Sequence, residues 1–369
     1  MNRALIAGLG IQGVACAHGM HVLGYEVAGF DVLQENIEKS AGILENLGVP
    51  ITTVHRDIHQ LFVKDAHKAS PGSLSLREYN PDVLISALPF HLNCEVAKKC
   101  IDHGVRYCDL GGNIDTSKRI AAYAAEKAKK PVMTDLGLAP GIANIVAELG
   151  YNELGGADSI KIRVGGLPQN PKGSLGYGLT FSPQGLYNEY AEKCRVISDG
   201  ELKFVDPLTD PEKIKFGKLG ELVAFNTSGG LSNTVEMMLE RGVRECNYKT
   251  IRFPGHLELV RFLLNECRLD LETFSQAVIN ACGFITDDQV LIAVEIRKGD
   301  MKWSKKCRVL STQTFTAMQK TTGLGAAAVA AILGSGKLDG KINISYADLA
   351  SDDFVDNLQK LLPEMSMCD

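Results

Sequence analysis

The sequence has no CxxC pair, no histidine cluster at zinc-ligand spacing and no large excess of either charge. It also lacks any apolar run of the roughly 18 residues that a membrane-spanning helix needs. Each absence removes a class of function. Ten scattered cysteines (Cys16, Cys94, Cys100, Cys108, Cys194, Cys246, Cys267, Cys282, Cys307 and Cys368) read as reduced thiols, with neither a disulfide framework nor a metal site to be expected. A net charge of −5 and a pI near 6.0 provide no basic surface for nucleic acid or for an anionic membrane. The first residues pass from a short apolar run straight into a glycine-rich turn, where a signal peptide would carry a cleavage region. The expectation is a cytoplasmic protein that binds a small molecule.

What is present is an ordinary globular balance, 45% hydrophobic and 22% charged over 369 residues, long enough for two domains each with its own core. The first part alternates short apolar strands with helical stretches. Ala4–Ala7, Glu26–Phe30, Val83–Leu88, Arg106–Leu110 and Val132–Leu136 read as strands. Gln12–Leu23, Leu33–Leu47, Leu92–His103 and Thr116–Lys129 read as helices. Parallel neighbours require crossover connections, so this rhythm implies a doubly wound parallel sheet, a Rossmann-type α/β domain over residues 1–140. Asp65–Leu76, with Ser70-Pro71-Gly72-Ser73, reads as a loop.

The pattern then changes. Ser159–Val164, Cys194–Ser198, Leu202–Val205, Tyr248–Phe253, Val290–Arg297 and Cys307–Phe315 read as strands. Asp199-Gly200 suits a type I′ hairpin turn. Residues 141–315 are therefore expected to form an α+β domain on a mixed or antiparallel sheet. The small-residue stretch Met318–Leu333 suits a closely packed helix, and residues 316–369 are expected to return to the first domain.

Gly8-Leu9-Gly10-Ile11-Gln12-Gly13 is GxGxxG in its required setting, after a strand and opening a helix. Gly8 serves the tight turn, Gly10 the approach of a pyrophosphate, and Gly13 the packing of helix on strand. The Ile11 and Gln12 amides lie at the helix N-terminus that an anion favours. Asp31 ends the second strand, where a carboxylate accepts from ribose hydroxyls and repels a 2′-phosphate. Val32, Leu33 and Gln34 after it offer no cation, so NAD is expected over NADP. Ala87, Leu88 and Pro89 stand at the end of the Val83–Leu88 strand, at the edge where open α/β sheets bind ligands. Asp57 either reaches the adenine amino group or is a solvated loop acid, the second being commoner.

Five further segments occur in one order: Leu138-Ala139-Pro140-Gly141, Val164 to Pro168, Tyr177 to Ser182, Ala224 to Gly230, and Tyr248 to His256. With the glycine turn, this series resembles the saccharopine dehydrogenase-like family, and within it the lysine 6-dehydrogenase branch. The resemblance runs from Ala4 to about Leu338. It implies a Rossmann domain completed by a C-terminal segment, and a sheet domain for substrate binding and dimerisation. It also implies NAD as cofactor and reversible oxidation at a carbon bearing an amine, here the ε-amine carbon of lysine or of a related amine.

Such a reaction needs a base to keep the amine neutral, a cation for the substrate carboxylate and an acceptor for its ammonium. His91, just past a strand end, titrates in the range of a base, and equally suits a helix cap. Asp109, at the same edge, could orient that base or hold an ammonium, or be a turn acid. Arg252 offers the guanidinium fork to a carboxylate; the alternative is an ion pair between strands. His256, Tyr177, Thr227 and Ser228 are candidates to line the substrate pocket, or ordinary strand and turn residues. No metal is expected. Two other functions compete with the dehydrogenase. One is a saccharopine- or carboxynorspermidine-type reductase, which joins an amine to a carbonyl and needs a second carboxylate clamp from Arg163, Lys161, Arg244 or Lys249. The other is an NAD-binding regulator without turnover. A homodimer or higher homo-oligomer is the expected assembly.

Overall fold

The computed structural model describes residues 1–61 and 79–366; the loop expected at Asp65–Leu76 and Cys368 lie outside the described residues. The chain divides into two compact units. One is Met1–Ile142 with Gln319–Pro363, and the other Ala143–Met318 with the residues from Glu364 onward.

The first unit is a Rossmann-type α/β fold. Strands β1 (Arg3–Ala7), β2 (Glu26–Asp31), β3 (Ile51–His55), β4 (Val83–Ser86), β5 (Arg106–Asp109) and β6 (Val132–Met133) form one parallel sheet in the order β3-β2-β1-β4-β5-β6. β1 lies between Val27–Phe30 and Val83–Ser86 in register. β4 is buried at every position, which is why its sequence is apolar without alternation. Helices Ile11–Val22, Gln34–Asn46, Phe90–Asp102 and Ile114–Lys127 make the crossovers. The strand expected at Val132–Leu136 is shorter, because Asp135 takes a left-handed φ of 63° that no strand accommodates.

Gln319–Pro363 belongs to this unit. Its helix Gly325–Gly334 is buried along its whole length, as a helix apolar on every face must be. Close backbone approach makes its small residues necessary. A Cβ at Gly19 would lie 2.6 Å from that of Ala327, and one at Gly323 would lie 2.6 Å from that of Ala15.

The second unit is α+β. Strands β7 (Ser159–Pro168), β10 (Glu212–Lys215), β11 (Glu221–Asn226), β12 (Glu245–Arg252), β13 (Asp288–Lys298) and β14 (Met301–Leu310) run in the order β10-β11-β12-β7-β13-β14. The pair β12–β7 is parallel and the other neighbours antiparallel. β8 (Cys194–Ser198) and β9 (Glu201–Val205) form the hairpin expected at Asp199-Gly200, whose φ angles of 56° and 80° fit a type I′ turn. Two strands are additional to those read from sequence. β10 is short and charged, and β11 reads first as a loop motif. β14 begins earlier than expected: Lys302, Ser304 and Lys306 are exposed while Trp303 and Lys305 between them are half-buried, the alternation of a one-sided strand. On one sheet face, helices Pro183–Ala191, His256–Arg261 and Leu271–Cys282 contribute to a core that includes Leu186, Phe225, Leu257 and Phe274. Among the described residues no helix is long and apolar enough to cross a membrane, and no group of His, Cys, Asp and Glu could hold a metal ion.

Candidate functional site

In the first unit the glycine turn is built for an anion. Gly8 has a φ of +88°, and its N–H donates to Phe30 O at 2.9 Å, holding the turn against β2. A Cβ at Gly13 would lie 1.8 Å from Gly8 O, so only glycine lets this helix seat on its strand. Among the described residues, a Cβ at Gly10 would meet nothing within 4 Å. Gly10 is also the N-cap of helix Ile11–Val22, which has no side-chain cap and no acidic residue in its first turn. Its leading amides thus retain capacity for a phosphate.

Asp31 is 6% exposed and ties this corner together. Its Oδ2 accepts from Leu9 N at 2.8 Å and from Asn36 Nδ2 at 3.2 Å, and its Oδ1 accepts from Leu33 N at 2.8 Å. Three bonds leave part of the carboxylate's acceptor capacity for a ribose hydroxyl. Asn36 was missed in the sequence, where it is one polar residue in an exposed helix turn. Ala87 and Leu88 lie against Gly8: a Cβ there would be 3.0 Å from Leu88 Cδ2 and 3.1 Å from Ala87 O. Pro89 is the N-cap of helix Phe90–Asp102, and Val32 is exposed. Asp57 Oδ1 accepts from His59 N at 2.8 Å, which places it as a cap on the turn at Ile58–Leu61. These residues fit a dinucleotide.

His91 is exposed in the first turn of helix Phe90–Asp102, edge-on to Phe90 with ring centres 6.0 Å apart. Asp109, at the end of β5, is 1% exposed. Its Oδ1 accepts from Gly111 N at 2.8 Å and Asp135 N at 3.2 Å, and its Oδ2 from Tyr107 Oη at 2.9 Å. Burial, reinforced by the Asp135 carboxylate, pushes its pKa up to about 7. These bonds make Asp109 a brace for the β5–β6 corner.

In the second unit, Arg252, His256 and Tyr177 come together. Arg252 ends β12 and is 2% exposed. The turn after it contains Gly255 at φ +91°, which brings His256 back to open the next helix. Arg252 Nε donates to Tyr190 Oη at 2.9 Å, and Tyr190 Oη lies 3.0 Å from His256 Nε2. His256 Nδ1 lies 3.0 Å from Leu175 O. A carbonyl only accepts, so Nδ1 carries the imidazole proton, and Tyr190 donates its own proton to Nε2. Burial and then the neighbouring Arg252 push the His256 pKa down to about 3. His256 is therefore neutral, and its role here is to orient Tyr190 and, through it, Arg252.

The guanidinium carbon lies 4.8 Å from the Tyr177 ring centre and 5.9 Å from that of Tyr190. Arg252 Nη1 donates to Ile251 O at 3.0 Å, while Nη2 is 3.6 Å from Glu189 Oε2, beyond hydrogen-bond length. Donor capacity therefore remains on the fork. Beside it, Glu189 Oε2 is buried without a hydrogen-bond partner among the described residues, while the Tyr177 hydroxyl is close to that of Thr180. Burial pushes the Glu189 pKa up to about 7, against the pull of Arg252.

The remaining candidates support this group from behind. Thr227 Oγ1 is hydrogen-bonded to Thr250 Oγ1 at 2.6 Å. Ser228 donates from Oγ to Asn188 O at 3.0 Å and from N to Glu189 O at 2.9 Å, pinning the end of the helix that carries Glu189 and Tyr190. Glu189 and Tyr190 escaped the sequence reading, since one acid and one tyrosine in an amphipathic helix carry no local signal. Arg163 and Lys249 are paired with acids: Arg163 with Glu212, and Lys249 Nζ with Asp210 Oδ2 at 2.8 Å and Glu212 Oε2 at 3.2 Å.

Residues 137–364, more than half of the chain, match the family described as Saccharopine dehydrogenase C-terminal domain. Over 179 residues, 42% of this chain, the sequence is 27% identical to alpha-aminoadipic semialdehyde synthase of Arabidopsis thaliana, and the match takes in only 16% of that relative. The fold is similar to that of apo saccharopine dehydrogenase (L-Glu forming) from Saccharomyces cerevisiae, with a TM-score of 0.72 over 98% of each chain at 14% identity.

Proposed function

The chain belongs to the saccharopine dehydrogenase family, and from that premise we propose that it is an NAD-dependent amino-acid dehydrogenase. Its substrate in this reading is L-lysine or a closely related amine, oxidised at the ε-amine carbon to an imine that water converts to the semialdehyde. The observation that carries it is Arg252: a buried guanidinium held in an aromatic box, with donors left over for a substrate carboxylate.

A bound nicotinamide supplies the hydride acceptor. The glycine turn and the amides of Ile11 and Gln12 hold the pyrophosphate, and Ala87, Leu88 and Pro89 border the cofactor on the next strand. Asp31 accepts from the ribose hydroxyls and, with Val32 beside it, disfavours a 2′-phosphate, so NAD is preferred to NADP. Asp57 borders the adenine. His91, exposed in the first turn of the helix that follows β4, takes the proton that the substrate ammonium loses before its carbon can release hydride; Asp109 braces the neighbouring strand end. Arg252 holds the α-carboxylate, with His256 orienting it through Tyr190. Tyr177 walls the pocket, and Thr227 and Ser228 fix its frame.

A reductase joining an amine to a keto acid needs a second carboxylate clamp. The pairing of Arg163 and Lys249 with Glu212 and Asp210 weighs against two of the four candidates for it. The same reading makes the protein a cytoplasmic homodimer or higher homo-oligomer, which light scattering and fractionation test.

The decisive assay follows nicotinamide reduction with NAD or NADP and a panel of amino acids, lysine first, at alkaline pH. NADH from lysine alone supports the proposal. Oxidation of NADH only with both lysine and 2-oxoglutarate overturns it in favour of the reductase. Cofactor binding with no turnover in either direction overturns it in favour of a regulator.

A further inference from the structure

We infer that Glu189 is the acceptor for the substrate's α-ammonium, so that Arg252 and Glu189 together recognise the head group of a free α-amino acid. The inference rests on the assignment of Arg252 to the substrate carboxylate, and it adds the second half of the head group.

Glu189 Oε2 is buried beside Arg252 with no hydrogen-bond partner among the described residues. Buried polar atoms in a finished core are almost always hydrogen-bonded, so a carboxylate oxygen left without one beside a cation with donors to spare marks a place prepared for a ligand. The Arg252–Glu189 pair is itself open. Its 3.6 Å separation is too long for a hydrogen bond. A well-made pair with arginine holds a carboxylate low, whereas the Glu189 pKa is pushed up by burial. Its backbone is nonetheless fixed, because Ser228 bonds the carbonyls of both Asn188 and Glu189.

An α-amino acid carries its carboxylate and ammonium on one carbon. Charge-assisted bonds of about 2.8 Å from Arg252 Nη2 to the carboxylate and from the ammonium to Glu189 Oε2 span two atoms that lie 3.6 Å apart. A plain carboxylic acid leaves Glu189 unanswered, and a plain amine leaves Arg252 unanswered. The site is therefore selective for free amino acids over deaminated acids and decarboxylated amines.

The test is binding to the full chain by calorimetry, using norleucine, hexanoate and pentylamine. Cofactor is omitted, so binding is measured apart from turnover. The wild-type protein is expected to bind norleucine at least about tenfold more tightly than hexanoate. Glu189→Gln is expected to weaken norleucine by about tenfold to a hundredfold, the span of a charge-assisted hydrogen bond, and to leave hexanoate unchanged. Retained hexanoate binding shows that the variant is folded. Equal losses for norleucine and hexanoate, norleucine binding unaffected by the substitution, or no norleucine binding by the wild type would each overturn the inference. Arg252→Lys separates the two assignments. If it spares hexanoate, the assignment of Arg252 fails and takes the inference with it. If norleucine follows Glu189 while lysine is not oxidised, the amino-acid site stands and the dehydrogenase reading alone falls.

Discussion

Tyr190→Phe removes one oxygen and nothing else. That oxygen accepts from Arg252 Nε at 2.9 Å and lies 3.0 Å from His256 Nε2, to which it gives its proton. Its ring also packs edge-on against Phe274, at 6.5 Å between centres, and the phenylalanine keeps that contact. The loss is therefore two buried partners left unanswered. Each costs roughly 1–3 kcal/mol, for about 2–6 kcal/mol in total. For a unit of this size each kcal/mol lowers the melting temperature by about 2–4 °C, so the variant should melt roughly 4–24 °C lower. Thermal unfolding followed by circular dichroism measures this. A cycle with His256→Phe sharpens it. The two changes share a bond, so the double variant should be less destabilised than the sum by about 1 kcal/mol or more. Substrate affinity should fall as well, because Arg252 loses the bond that aims its fork. A melting temperature within about 2 °C of the wild type, with additive single changes, would refute the relay from His256 through Tyr190 to Arg252.

The glycine turn separates fold from ligand. Gly13→Ala puts a methyl 1.8 Å from Gly8 O and should prevent stable folding, whereas Gly10→Ala meets none of the described residues within 4 Å and should melt within about 3 °C of the wild type while losing dinucleotide binding by calorimetry. Asp31→Ser should lower NAD affinity by about tenfold or more and shrink the NAD-to-NADP ratio; an unchanged ratio would remove Asp31 from cofactor choice. Asp109 has a folded pKa raised from 3.8 to about 7, so its native form holds the proton more tightly than the unfolded chain, and its stabilising share is lost as pH rises from about 4 through 7. In Asp109→Asn that slope should flatten in denaturant titrations at several pH values. The fold should survive, because the amide oxygen can keep the Gly111 and Asp135 bonds while Tyr107 Oη turns to Asn93 O, 3.3 Å away.

Legibility followed sequence distance. Gly8, Gly10 and Gly13 are readable because the turn, the helix start and the close packing are all local demands on a few consecutive residues. Asp31 is readable because a strand end fixes where its carboxylate points. Arg252 and His256 stood out because a Pro254-Gly255 turn joins them. Glu189 and Tyr190 did not, since Tyr190 reaches Arg252 across 62 residues of chain and its helix shows only ordinary amphipathicity. For Asp109 and Ser228 the sequence left a site role and a structural role both open. Each looked available for substrate, and each has its bonding taken by the protein.

By itself the sequence determined the repeated strand–helix rhythm of the first unit, the anion-binding turn and the change to a mixed sheet near Gly155. All three follow from periodicity, glycine conformational freedom and turn chemistry acting over short stretches. Only the tertiary structure decided which polar groups are satisfied. It ties Asp109 to Gly111, Asp135 and Tyr107, and Thr227 to Thr250, while Arg252 keeps unspent donors beside an open Glu189. Whether a buried polar atom is spent or waiting depends on partners brought from distant parts of the chain. Sequence order does not encode that distance in space, and the folded packing does.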